Sequence, residues 1–130
     1  EKTHEKAGMK GVCYMSSVPP YMNPSTIRKL LEQYFDGLVE RIYMEPERDY
    51  SRKTRMKLGG NKKRKYTEAW VEFATKRSAK DAAEMLNAQA FGGKKRHNLF
   101  HDDLWTLKYL SGFKWSHLTE KLRYDQKVRE

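Results

Sequence analysis

The chain is short of the residues that make cross-links and membrane spans. A single cysteine excludes an internal disulfide, and a reducing intracellular compartment is expected. Hydrophobic residues make up 38% of the chain and mean hydropathy is −0.98. No apolar run approaches the roughly 20 residues of a membrane-spanning helix, which excludes one. The first ten residues, EKTHEKAGMK, have no apolar stretch of the kind a secretory signal carries. Acid is scarce relative to base, with 17 Asp and Glu against 27 Lys and Arg, a net charge of +10. Aromatics are not scarce: three Trp and eight Tyr are too many for a disordered basic tail. One folded domain with tails and a single modest core is expected from 130 residues.

The positive charge is concentrated. Arg48 to Lys65 (RDYSRKTRMKLGGNKKRK) holds nine basic residues and one acid, and Lys94-Lys95-Arg96 forms a second cluster. The remainder of the chain is close to neutral. Both clusters adjoin glycine pairs, where turns are expected. Like charges packed this closely repel unless a polyanion neutralises them, so the pattern points to a polyanionic partner, against the plainer reading of a solvated loop. Lys62 to Lys65 also has the form of a nuclear import address.

Val12 to Ser16 is a short β-prone run stopped by Pro19-Pro20. Asn23-Pro24 offers an N-cap and a proline at the first helical position, and Ile27, Leu30, Leu31 and Tyr34 follow at helical spacing, closing at Asp36-Gly37. Val39 to Glu45 reads as a second strand with Ile42 and Met44 on one face and Arg41 and Tyr43 on the other. The basic segment then runs to Tyr66 without hydrophobic periodicity and reads as a structureless insertion. Thr67 to Phe73 alternates strictly, with Ala69, Val71 and Phe73 inward and Glu68, Trp70 and Glu72 outward. Lys76 to Ala88 carries Ala79, Ala82, Ala83 and Leu86 at helical spacing. Phe91 to Asp103 reads as a loop, and Leu104 to Leu110 as a fourth strand whose near-continuous apolarity leaves the facing of Trp105 and Leu107 open. Ser116 can cap a final helix through Arg129, with Leu118, Leu122 and Val128 as an incomplete stripe in need of a surface.

The order β-α-β-β-α-β plus a helix is that of an α+β, ferredoxin-like sandwich: a four-stranded antiparallel sheet with two helices on one face. The expected division is a tail over 1–10, the sandwich over 11–112 with its basic insert at 46–66, and a helical extension over 113–130. In this topology the first and third strands are central neighbours. Tyr14 and Trp70 are therefore expected side by side on the open face, with Arg41 and Tyr43 on the same face of the second strand. Exposed aromatics can stack bases while cations track phosphates, so the candidate RNA-binding residues are Tyr14, Trp70, Tyr43 and Arg41, with Arg52, Lys53, Arg55, Lys57, Lys62, Lys63, Arg64, Lys65, Lys94, Lys95 and Arg96. The alternative is that the final helix folds back through Leu118, Leu122 and Val128 and covers the sheet, which shifts RNA contact to the loops.

These segments resemble the RNA recognition motif. Cys13 to Val18 (CYMSSV) matches its first-strand hexamer, and Tyr66 to Phe73 (YTEAWVEF) matches the second half of its third-strand octamer. The first half departs, with Tyr66, Thr67 and Glu68 in place of the basic residue, glycine and aromatic. Over nearly its whole length, through GVCYMSSVPPYMNPSTIRKLLEQY, VERIYMEPE, KYTEAWVEF and LWTLKYLSGFKWSHLTEKL, the chain is similar to the family of the eighteen-S factor 2 and activator of basal transcription 1 proteins. That resemblance implies RNA binding and a nucleolar role in small-subunit pre-rRNA processing within the small-subunit processome. It also implies association with a DEAD-box RNA helicase, a nuclear contact with basal transcription machinery, and a monomer within a large assembly. The competing reading is a protein–protein adaptor on the same fold, docking through Leu118, Leu122 and Val128.

Other candidates are weaker. His97, His101, Asp102 and Asp103 lack the cysteine-rich set of a structural zinc site, and no metal or cofactor is expected. His4 and His117 read as surface or capping residues, and Cys13 as a small core residue. The glycine pairs before Lys62 and Lys94 do not have Walker spacing. Glu45, Glu47, Glu68 and Glu72 have no nucleophile or base partner, so no enzymatic activity is expected.

Overall fold

A computed structural model of the chain describes residues 9–19, 21–59, 65–92, 100 and 102–129. Lys62, Lys63, Arg64, Lys94, Lys95, Arg96, His4, His97 and His101 lie outside the described residues. The elements are β1 (Gly11–Met15), α1 (Pro24–Glu32), β2 (Val39–Pro46), α2 (Asp49–Lys57), β3 (Tyr66–Phe73), α3 (Lys76–Leu86), β4 (Leu107–Leu110) and α4 (Trp115–Arg129). The strands form one antiparallel sheet in the order β2-β3-β1-β4, the ferredoxin-like arrangement expected from the element order.

Local chemistry explains the helices on the inner face. Asn23 accepts the Thr26 amide at 2.9 Å and Pro24 opens α1. The helix stops at Glu32, sooner than expected, and Glu32 Oε1 accepts the Gly37 amide at 2.8 Å in the turn that follows. Beyond that stop the helical period no longer applies: Tyr34 is exposed, and Phe35 enters the core edge-on to Phe73, with ring centroids 5.8 Å apart. Helix α3 is held by a reciprocal cap between Thr75 and Ser78 and buries Ala79, Ala82 and Leu86. Its small residues let it lie close to β1. Between α1 and β2, Arg28 donates to the carbonyls of Val39 (3.0 Å) and Glu40 (2.6 Å), where the β2–β3 register shifts.

Three expectations need correction. The basic insertion is not structureless, since Asp49 to Lys57 is helical. The helix buries none of its residues, so no apolar stripe announces it. Its order comes from helix-forming Arg, Lys and Met, from Asp49 in the first turn, and from Arg55 and Lys57 in the last turn, where they complement the helix dipole. The fourth strand is shorter than the apolar run, because only Leu107–Leu110 pairs with β1. Leu104 bridges Ala90 instead, and Trp105 turns into the main core against Phe91, 4.3 Å between ring centroids, with Leu107 also inward. Finally, α4 begins at Trp115, and the Lys114 amide donates to His117 Nδ1 at 3.1 Å, so His117 rather than Ser116 closes its first turn.

Gly11 sits where β1 passes under α3. A Cβ there would lie 2.7 Å from the Ala79 Cβ and 2.9 Å from the Lys76 Cα, neither of which can swing aside. Gly11→Ala should destabilise the domain by about 1–3 kcal/mol through overpacking, read as a lower urea midpoint at unchanged slope.

Candidate nucleic-acid interface

The outer face of the sheet carries side chains from three strands in register. Tyr14 stands opposite Trp70 and Trp70 opposite Tyr43, so the three rings form a row across β1, β3 and β2. Centroid separations are 5.2 Å for Tyr14–Trp70 and 6.0 Å for Tyr43–Trp70. Tyr14 Oη donates to Glu68 Oε1 at 2.8 Å, and Tyr43 Oη donates to Glu45 Oε1 at 2.8 Å. Desolvation and the Glu68 carboxylate together hold the Tyr14 phenol above its ordinary pKa, so it stays neutral and donating at physiological pH. Glu68, which departs from the recognition-motif pattern, thus orients a ring of the row.

The row is not open. Helix α4 folds back across it, Leu118 is fully buried on Trp70 and Val12, and Trp70 is 6% exposed. Leu110, Phe113, Trp115 and Leu122 complete this second apolar cluster, and the Lys121 ammonium lies 5.9 Å from the Trp70 ring centroid. Of the two arrangements the sequence leaves open, the covered sheet is the observed one. The expected exposure of Trp70 is corrected, while Tyr14 and Tyr43 remain half-buried at the margin of the helix. Leu118 and Leu122 face the sheet, but Val128 is 65% exposed, because α4 has run past the sheet by that point.

Arg41 proves to be a fastener. Its guanidinium donates to both carboxylate oxygens of Glu72 (2.7 and 3.0 Å) and lies 5.2 Å from the Trp115 ring centroid, joining β2, β3 and the first turn of α4. Glu72, expected to point away from the core, is correspondingly buried. Arg55 is likewise engaged: it forms an ion pair with Glu47 that ties α2 to the end of β2, and its hydrogen bonds hold the Glu47 carboxyl below the usual carboxylate range. The Glu47 amide donates to the Lys65 carbonyl at 2.9 Å, closing the base of the basic segment. Lys53 and Lys57 are exposed, and Arg52 and Lys65 are half-buried. Arg52, Lys53, Arg55 and Lys57 thus stand on a braced helix at one end of the sheet. Cys13 is buried with its thiol pushed up to about 12 by desolvation, and Sγ–H donates to the Ala79 carbonyl at 3.1 Å, as an inert core residue should.

The sequence-based list omitted Trp115 and Phe113. Their position at the start of a helix with an apolar stripe, Phe113 just before it and Trp115 at its first residue, is the signal that could have found them.

No family model matches the chain. It is 50% identical over 119 residues to the pre-rRNA-processing protein ESF2 of Chaetomium globosum, a match that covers 92% of this chain. It is 45% identical over 130 residues to the protein of that name from Schizosaccharomyces pombe, covering all of this chain, and 48% identical over 120 residues to that from Saccharomyces cerevisiae, covering 92%. The chain belongs to the ESF2 family. It spans 35–38% of the length of these three ESF2 proteins, so it corresponds to one part of each. The Schizosaccharomyces pombe match, which runs over the whole chain, includes the C-terminal segment that forms α4, in keeping with the sequence resemblance.

Leu118→Ala should cost about 2–5 kcal/mol if α4 stays docked over the cavity, and less if the helix lifts. In both cases Trp70 should become more accessible to acrylamide quenching than in the native chain.

Proposed function

We propose that this chain is the RNA-binding domain of a ribosome-biogenesis factor that acts in pre-rRNA processing, held on RNA chiefly by its basic β2–β3 segment. The observation that carries this reading is the closed outer face: with Leu118 on Trp70, the central stacking platform is occupied by the chain's own helix, while Lys53 and Lys57 stand exposed on α2. The names of the ESF2 relatives support the pre-rRNA role. On this reading residues 11–112 are a divergent RNA recognition motif, 113–130 its covering extension and 1–10 a tail. The site of action is nucleolar, in the small-subunit processome, with a DEAD-box helicase as an associated protein. The domain's own contribution is binding and placement, with no catalytic step assigned to it.

Electrostatic contact of this kind releases counterions, so affinity should fall steeply with salt. In anisotropy titrations of a short single-stranded RNA, replacing Lys62, Lys63, Arg64 and Lys65 by Ser should weaken binding at least tenfold at low salt. The slope of log K against log salt should drop by about 3, at roughly 0.7 per phosphate contact. Tyr14→Phe should bind like wild type. Unchanged binding by the segment variant would reject the reading.

The adaptor reading is favoured by a separate observation. Tyr124 and Val128 are 68% and 65% exposed and lie one turn apart on the distal half of α4. If that half docks a processome protein, Tyr124→Ala/Val128→Ser should abolish co-purification of the partner without altering RNA affinity, because neither residue belongs to the sheet cluster. Retained co-purification would remove this surface from consideration.

A further inference from the structure

At the end of the sheet opposite the basic segment, a cleft of about 480 Å³ opens where β1 begins, β3 ends and α4 starts. Lys10, Arg41, Lys76 and Lys114 line it, together with the half-exposed rings of Phe113 and Trp115. Among the described residues, Glu72 is the one acid in its lining, and both of its oxygens are taken by Arg41. Lys10 reaches Glu40 at 3.3 Å on the exposed rim. Lys76 and Lys114 have no carboxylate within ion-pair distance among the described residues. The cleft therefore keeps an uncompensated positive charge beside two flat apolar rings. Helix amides do not supply the recognition here, since Thr75 and Ser78 cap α3 and His117 closes the start of α4.

We infer that this cleft is a second contact for single-stranded RNA, with Lys76 and Lys114 on phosphates and a base against Phe113 or Trp115. The inference rests on the RNA-binding reading above and extends it to the other end of the domain. An acidic peptide would satisfy the lysines but would leave the rings without a planar partner, whereas a nucleotide supplies both charge and a flat face. The geometry suits a continuous strand. Tyr66 and Phe73 are the two ends of β3, roughly 23 Å apart at 3.3–3.4 Å per residue, so one RNA strand passing along the margin of α4 can engage both sites. Arg41 is a positioning residue in this arrangement, because its charge is spent on Glu72 and its plane fixes the Trp115 ring.

The test uses the full chain carrying Lys76→Ser/Lys114→Ser, two side chains outside the core, beside the neutralised basic-segment variant. A fluorescent oligouridylate and a fluorescent oligo-aspartate peptide are titrated against each. The cleft variant should bind the oligouridylate about tenfold more weakly, with a salt slope reduced by about 1.4 for two phosphates. A 4-thiouridine oligonucleotide should photocrosslink to Phe113 or Trp115, located by mass spectrometry. If the cleft variant binds RNA like wild type while the basic-segment variant loses it, this inference falls and the proposed function stands. If both variants bind RNA like wild type, the two fall together. Weakened binding of oligo-aspartate alone would make the cleft a peptide site and overturn the RNA assignment, as would crosslinks confined to residues 48–65.

Discussion

Leu118 seated on Trp70 closes the outer face of the sheet, and most of the surface chemistry follows from that contact. Two helices can cover only one side of a four-stranded sheet, and here the other side carries Val12, Tyr14, Tyr43, Trp70 and Leu110 in adjacent register. Left in water, such a face would be a large apolar patch with a strong tendency to associate. Full burial of one leucine is worth about 1.5–3 kcal/mol, and aromatic pairs in tilted contact add about 0.5–1.5 kcal/mol each. A helix with a sparse apolar stripe can therefore dock stably, provided its few apolar residues meet the centre of the row.

The polar groups around this contact are arranged to keep α4 in place without burying loose charge. Glu72 is buried, yet both oxygens accept from Arg41, which in turn lies against Trp115. Removing Arg41 would strand the buried Glu72 carboxylate, so the pair acts as a registration device at the start of the helix. Farther along α4, Lys121 reaches over Trp70 and pairs with Asp125 at 3.0 Å. The covered sheet then divides the accessible positive charge of the described residues between its two ends: Lys53 and Lys57 on α2 at one, the lysine-rich cleft by Trp115 at the other. On the proposed reading, an RNA strand is gripped at its flanks and not read base by base at the centre.

The membership of the ESF2 family and this geometry complement each other. Its relatives bear the name of pre-rRNA-processing proteins, while the fold shows how a ferredoxin-like domain can brace the aromatic row of its outer face under a helix. Glu68 is the clearest sign of that bracing. At a position where the octamer pattern has an aromatic, it accepts the Tyr14 hydroxyl and fixes the ring beside Trp70.

Much of this was legible in the residues alone. The alternation of Ala69, Val71 and Phe73, the Asn23-Pro24 cap and the spacing of Ala79, Ala82 and Leu86 each report a repeating local geometry, and element order follows from them. The charge of the basic segment was legible by counting, but its helix was not, because α2 is stabilised by propensity and end charges and has no core face to leave a period. The facing of Trp105, the burial of Trp70 and the pairing of Arg41 with Glu72 were decided by the tertiary structure. Periodicity within an element tells which residues share a face. What lies across that face depends on contacts between residues far apart in the chain, and these exist only once α4 has folded back over the sheet.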